Sequence, residues 1–259
     1  MRHPTLIAGH RGGLFLWPEN SARGFREAAR LPIDQAECDV HLTADGGLVV
    51  HHDATLDRTT DAAGPVRARR LEELRAVRVR GTEGEAPPTL AEYLGILAPT
   101  PVAPRIEIKA DADRRPYPGI VPAVMAALDA AGQRRRAWII GFQRDTMAEA
   151  LAAGGLAGVS WLLELSTLAD IGVEGAIAVA RECGFQEIGL HERALDGGML
   201  ARFRAAGLGV NVWGANHASA IRRMLDLRVD LLATDDPPLA IRLRDEASVS
   251  ASMERPATM

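Results

Sequence analysis

The strongest constraint on this chain is a rhythm that runs almost from end to end. Apolar runs of strand length alternate with segments of helical period. Thr5–His10 reads as a strand and Ser21–Arg30 as a helix, with Asn20 or Ser21 as its N-cap. Ile33–Val40 is the second strand, and Gly47–His51 adds a short extended piece after an Asp45-Gly46-Gly47 turn. Residues 54–88 break the rhythm with arginines, glycines, Pro87-Pro88 and one short helical stretch, Leu71–Val77. Regularity returns with a helix at Leu90–Leu97, a strand at Val102–Lys109 and a helix at Gly119–Ala131. Strand and helix then pair at 137–142 with 145–153, 157–163 with 174–183, 186–190 with 197–206, 208–213 with 217–226, and 230–234 with 238–244. About eight such units fit a closed (β/α)8 barrel better than an open sheet. The expected organisation is one α/β domain, residues 1–245, with a small inserted segment at about 54–88 after the second strand. Residues 246–259 are small and polar without a period and read as a disordered tail.

Parity along the strands says where the chemistry sits. Glu37 and Asp39 share one face of the second strand, opposite Cys38 and Val40. Arg105, Glu107 and Lys109 likewise share a face, opposite Ile106 and Ile108. A charged set facing a barrel interior is costly unless ligands or partners satisfy it, so the pattern implies a site near the top. The strands also end in capable residues: His10, Asp39, Lys109, Gln143, Glu164, His191, Trp213 and Asp235. Barrel active sites are built at the carboxyl ends of strands.

Composition narrows the class. A net charge of −4 gives no reason to expect a nucleic-acid partner. No apolar run reaches the roughly 18 residues that span a bilayer, so stable membrane insertion is not expected. Cys38 and Cys183 are the only cysteines, which suggests a reducing compartment and a cytoplasmic location. They read as small buried residues. Lys109 is the only lysine among 30 basic residues, which marks a position where a compact ammonium suits and a planar guanidinium does not.

Three converging carboxylates, Glu37, Asp39 and Glu107, repel one another unless a cation lies among them. All-oxygen ligation selects a hard divalent ion, Mg²⁺ or Ca²⁺. His10 and His52 are the natural proton-transfer pair because imidazole titrates near neutrality. By parity His51 faces away, and Asp53 either orients an imidazole or makes a turn. Arg11 and Lys109 add cations suited to a phosphate, and Gly12-Gly13 leaves room for close backbone approach. Trp213 offers a flat wall for a carbon skeleton. A zinc amidohydrolase site is excluded because the first strand lacks a second histidine. The arginines between Arg67 and Arg80 read as a solvated surface.

These residues resemble the glycerophosphodiester phosphodiesterase family. The likeness rests on His-Arg-Gly with Pro-Glu-Asn-Ser, Glu-Cys-Asp-Val-His-Leu-Thr-Ala-Asp-Gly, His-Asp-Ala-Thr-Leu-Asp-Arg-Thr-Thr, Glu-Ile-Lys, Val-Trp-Gly-Ala-Asn and Ala-Thr-Asp-Asp-Pro, in that order over about residues 5–242. The resemblance implies a histidine pair at His10 and His52, metal ligands at Glu37, Asp39 and Glu107, and phosphate contacts at Arg11 and Lys109. It implies metal-dependent hydrolysis of small glycerophosphodiesters to glycerol 3-phosphate and an alcohol. Ser21 stands where threonine is usual, and Gly214-Ala215 where threonine-valine is commoner, which leaves head-group preference open. The alternatives are a lipid-cleaving, phospholipase D-like or phosphoinositide phosphodiesterase and a non-catalytic phosphodiester-binding barrel. The first finds little support in a sequence without an evident membrane-docking stretch. Binding alone would not need both histidines.

Overall fold

The computed structural model describes residues 4–253. Its strands are β1 (Leu6–Gly9), β2 (Gln35–Leu42), β3 (Leu48–Val50), β4 (Ala103–Ile108), β5 (Trp138–Gly141), β6 (Gly158–Leu163), β7 (Glu187–His191), β8 (Gly209–Trp213) and β9 (Leu231–Thr234). All except β3 pair in parallel, in the order β1-β9-β8-β7-β6-β5-β4-β2. Pairing of β1 with β2, Ala8 opposite Gln35, closes the barrel. The extended piece after β2 is β3, antiparallel to it with Val40 opposite Val50. The (β/α)8 barrel expected from the rhythm is the fold observed.

Local chemistry accounts for the helices α1 (Ala22–Ala28), α2 (Leu71–Leu74), α3 (Leu90–Leu97), α4 (Ile120–Ala130), α5 (Arg144–Ala153), α6 (Leu165–Cys183), α7 (Gly197–Ala205), α8 (Ala218–Leu227) and α9 (Pro237–Met253). Ser21, rather than Asn20, caps α1 by accepting from the Gly24 N–H at 3.0 Å. Thr89 and Glu92 form a reciprocal capping box on α3. Asp196 caps α7. The helix after β6 starts earlier than the periodicity indicated. Gly172, at φ 65, breaks α6 after a short first segment, so its hydrophobic period starts only afterwards. The last helix runs past Arg244 to Met253, because no glycine or proline stops it there. The disordered tail expected over residues 246–259 is therefore helical through Met253, and 254–259 lie outside the described residues.

The main core lies between strands and helices, with Ile7, Phe25, Cys38, Ile106, Ile139 and Val210 among its fully buried members. Cys183 is only half-buried, and both cysteines are free. Residues 54–88 wrap a smaller core of Leu56, Val66, Leu74 and Val77 against Val49 of β3. Inside the barrel the floor is polar. Arg105, 1% exposed, donates to Glu187 at 2.8 Å and to Gln35 at 3.1 Å. Asn211 donates to Glu187 and Ser160. Arg105 therefore lies below the mouth, paired within the barrel.

Candidate active site

Strand register builds the carboxylate cluster. Asp39 lies opposite Glu107 in the β2–β4 pair, and Glu37 one interior position earlier. One ligand atom from each of Glu37, Asp39 and Glu107 falls within 4.8 Å of the other two, and all three residues are buried. Glu37 Oε1 and Asp39 Oδ1 accept no hydrogen bond. Burial and the neighbouring Asp39 charge push the Glu37 carboxyl up. Burial would raise Asp39 as well, but Lys109, His52 and Arg11 outweigh it and hold that carboxyl far below its usual range. Buried oxygens without hydrogen bonds, in an all-carboxylate set, fit a hard divalent cation.

The first histidine follows β1 in a single 3-10 turn, His10–Gly12. Arg11 within it adopts φ 50, and Gly12 and Gly13 follow at φ 82 and 98. A Cβ on Gly12 would sit 3.0 Å from the Gly24 carbonyl carbon, so this turn needs glycine there. The turn presents the Arg11 N–H to Glu37 at 2.8 Å. It also points the guanidinium between Glu19, at 3.1 Å, and Asp39, at 3.4 Å. Lys109 Nζ lies 2.7 Å from Glu107 and 3.3 Å from Asp39.

Each imidazole is held by a carboxylate. His10 Nδ1 lies 2.5 Å from Asp235 Oδ1, and His52 Nδ1 lies 2.6 Å from Asp53 Oδ1. Ionised carboxylates only accept, so Nδ1 carries the proton in both rings and Nε2 is left for proton transfer. Burial opposes charge on His10, but Asp235 and Glu37 outweigh it and raise its pKa. On His52 burial dominates, helped by Lys109 and Arg11, and the pKa falls. His51 turns away, bonded to the Asp53 carbonyl and to Thr59.

Several participants are not evident from sequence. Asn216 donates to the second Asp235 oxygen, and its own oxygen accepts the Asp235 N–H. Asn20 donates to Asp39 at 2.7 Å. Arg58 grips Asp53 and Glu19 at once, joining the partner of His52 to the partner of Arg11. His41, on the same face of β2 as Asp39, is neutral, with its pKa brought down to about 4 by burial; its Nε2 donates to the His52 carbonyl. All four lie within the motifs that carry the resemblance, but motif spelling does not say which side chains they bond, since those partners meet only in the fold.

A cleft of about 510 Å³ opens above this centre, lined by His10, Arg11, His52, Lys109, Phe142 and Trp213, among others. Trp213 packs edge-on to His191, ring centroids 4.5 Å apart, and its buried Nε1 has no partner. Gly214 has φ 83, and a side chain there would meet His191 Nε2 at 2.7 Å, so the histidine ring occupies that space. Glu164 stays at the rim, bonded to Arg114. All eight residues proposed from sequence thus meet around one mouth: His10, His52, Glu37, Asp39, Glu107, Arg11, Lys109 and Trp213.

Known proteins bear on this geometry. Residues 10–239 match the model of the glycerophosphoryl diester phosphodiesterase family. A glycerophosphodiester phosphodiesterase of Caldanaerobacter subterraneus subsp. tengcongensis is 28% identical over 92% of this chain and 97% of its own. A crystal structure from Agrobacterium tumefaciens strain C58, provisionally named a glycerophosphoryl diester phosphodiesterase, superposes with a TM-score of 0.93 at 36% identity, covering 95% of this chain and all of that one. An Oleispira antarctica phosphodiesterase, solved with its product sn-glycerol 3-phosphate, shares the fold with a TM-score of 0.79 at 20% identity over 93% of this chain and 97% of its own. Among the described residues no helix is long and apolar enough to cross a membrane.

Proposed function

This chain belongs to the glycerophosphoryl diester phosphodiesterase family, and from that premise we propose that it hydrolyses glycerophosphodiesters to sn-glycerol 3-phosphate and an alcohol. It is an enzyme, a phosphoric diester hydrolase. The carrying observation is the convergence of three buried carboxylates, two carboxylate-held imidazoles and two cations at one barrel mouth. Glu37, Asp39 and Glu107 would hold one divalent ion, Mg²⁺ or Ca²⁺, which when bound draws negative charge off the phosphoryl oxygens. Arg11 and Lys109 bind and orient those oxygens from the side. Nε2 of one imidazole takes the proton of the attacking hydroxyl, and Nε2 of the other supplies a proton to the departing alkoxide. Asp235 and Asp53 accept from Nδ1–H in each ring, so the ring acting as base uses a free Nε2 lone pair and the ring acting as acid does so as the doubly protonated imidazolium. Trp213 and Phe142 flank the carbon skeleton of the substrate. The Oleispira enzyme's product is the one this reading expects. Two free cysteines support a reducing, cytoplasmic setting.

The test follows release of glycerol 3-phosphate from glycerophosphocholine, glycerophosphoethanolamine and glycerophosphoglycerol, with Mg²⁺, with Ca²⁺ and with chelator. Chelator-sensitive release, abolished in folded His10→Ala and His52→Ala, is expected. A fully active histidine variant would remove the proposed pair, and binding without turnover would favour a non-catalytic barrel.

A further inference from the structure

His52 stands on main chain that no strand holds. β3 ends at Val50, and the last rung beyond it runs from the His51 N–H to the Asp39 carbonyl at 3.0 Å. Among the described residues no backbone–backbone hydrogen bond reaches His52 or Asp53. Yet these two residues carry the second imidazole and its carboxylate. A misplacement of about 1 Å in such a group costs up to about 100-fold in rate. Something other than the sheet has to fix them.

Two other imidazoles do so. His41 Nε2 lies 3.1 Å from the His52 carbonyl, and His51 Nδ1 lies 2.8 Å from the Asp53 carbonyl. A carbonyl only accepts, so each of these nitrogens carries a proton. The remaining nitrogen of each ring faces a hydroxyl: Tyr117 Oη at 2.9 Å from His41 Nδ1, and Thr59 Oγ1 at 3.0 Å from His51 Nε2. Burial lowers the pKa of both rings and favours the neutral form. In a neutral ring the second nitrogen accepts, so both hydroxyls donate. Two relays of one design result, Tyr117 to His41 to the His52 carbonyl, and Thr59 to His51 to the Asp53 carbonyl. They use opposite tautomers. The outer ends are fixed as well. Tyr117 is buried, and the Arg67 guanidinium, 5.6 Å from its ring centroid, is bonded to Asp111 at 2.7 Å. Asp111 in turn accepts the Asp113 and Arg115 N–H groups, which shapes the loop leading to Tyr117. Thr59 belongs to the inserted segment, where its carbonyl accepts the Arg80 N–H at 2.8 Å. Neither His41 nor His51 lines the catalytic cleft.

We propose that His41 and His51 are positioning residues, each locked in one tautomer by a hydroxyl, which anchor the carbonyls of His52 and Asp53 and so aim His52 Nε2 into the cleft. The inference rests on the phosphodiesterase reading, in which His52 transfers a proton, but its first test needs no substrate. Tyr117 and Thr59 act at one remove further, through the histidines they bond.

Long-range ¹H–¹⁵N spectra of the labelled protein, with His41 and His51 assigned from His41→Gln and His51→Asn, report which ring nitrogen bears the proton. The expected result is Nε2–H for His41 and Nδ1–H for His51, with neither ring charged. Either ring in the other tautomer, or doubly protonated, overturns the relays. Kinetics on glycerophosphodiesters then separate positioning from packing. Tyr117→Phe and Thr59→Val each remove one hydroxyl and keep the bulk of the side chain. Each is expected to lower kcat by about 3- to 10-fold with KM within about twofold. His41→Met removes the donor outright and is expected to cost about 100-fold in kcat. His41→Gln places an amide N–H where Nε2 stands, and is expected to be about tenfold faster than His41→Met. Equal rates in the Gln and Met variants, or full activity in both Tyr117→Phe and Thr59→Val, overturn the positioning role and leave the phosphodiesterase reading standing. A parent that shows both tautomers but hydrolyses no diester overturns the phosphodiesterase reading, and the positioning role with it.

Discussion

The two imidazoles differ in how firmly they are held. His52 shares its carboxylate with Arg58, whereas His10 relies on Asp235, which Asn216 fixes from two directions. Asp235 is a positioning residue. Asp235→Asn keeps the shape, but an amide can offer its N–H to Nδ1 and reverse the tautomer, taking the lone pair away from Nε2. The expected result is a kcat lower by about 10- to 100-fold with KM changed by less than about threefold, and a displaced pH–rate profile. Unchanged kinetics would mean that the Asp235 contact contributes only to packing. The sequence places His10, His52 and Lys109 because each follows a strand directly. It does not reveal Asp235 as a partner, since β1 and β9 become neighbours only when the barrel closes.

Elements meet through two charged networks, one below the site and one above it. Below, Arg105 of β4 pairs with Glu187 of β7, and Asn211 of β8 donates to the same carboxylate. Arg105→Met leaves that buried carboxylate short of its charge partner, at a cost of about 3–5 kcal/mol. Urea unfolding followed by circular dichroism measures this; a loss under about 1 kcal/mol would contradict it. Above, Arg58 ties the inserted segment to Glu19 and Asp53. Arg58 is the leading cause of the Asp53 depression, and at Glu19 burial pushes upward but Arg58 and Arg11 together outweigh it. With folded pKa values below the ordinary 4.5 and 3.8, the two groups stabilise the fold fully above about pH 4.5 and lose that contribution as the pH falls further. Arg58→Met is therefore expected to flatten the acid limb of Tm against pH; parallel curves for variant and parent would refute it. The strands and most helices were legible in the sequence because their apolar periods are local. The start of α6 was hidden by the break at Gly172, and the floor position of Arg105 by a parity that gives the face but not the depth.

For the whole molecule, the barrel has to bring three carboxylates together before it can act. Parallel pairing of β2 with β4 forces Asp39 against Glu107, and nothing in the fold allows the strands to separate without opening the barrel. Lys109 and Arg11 offset part of the repulsion, yet Glu37 Oε1 and Asp39 Oδ1 still accept no hydrogen bond and the Glu37 carboxyl is pushed up. The folded protein thus stores an unfavourable charge arrangement that a bound cation relieves, and the unfolded chain has no comparable site. Binding to the folded state alone stabilises by about 2.7 kcal/mol when the ion is at a hundred times its Kd. For a chain of this size that is a rise in Tm of about 5–10 °C. Thermal unfolding with millimolar Mg²⁺ or Ca²⁺ against chelator reads this without any substrate. Asp39→Asn with Glu107→Gln is expected to abolish the shift, since two of the three ligands are gone. If the parent showed the same Tm with and without ion, the carboxylates would be serving Arg11 and Lys109 alone, and the metal dependence of the reaction would have to be abandoned.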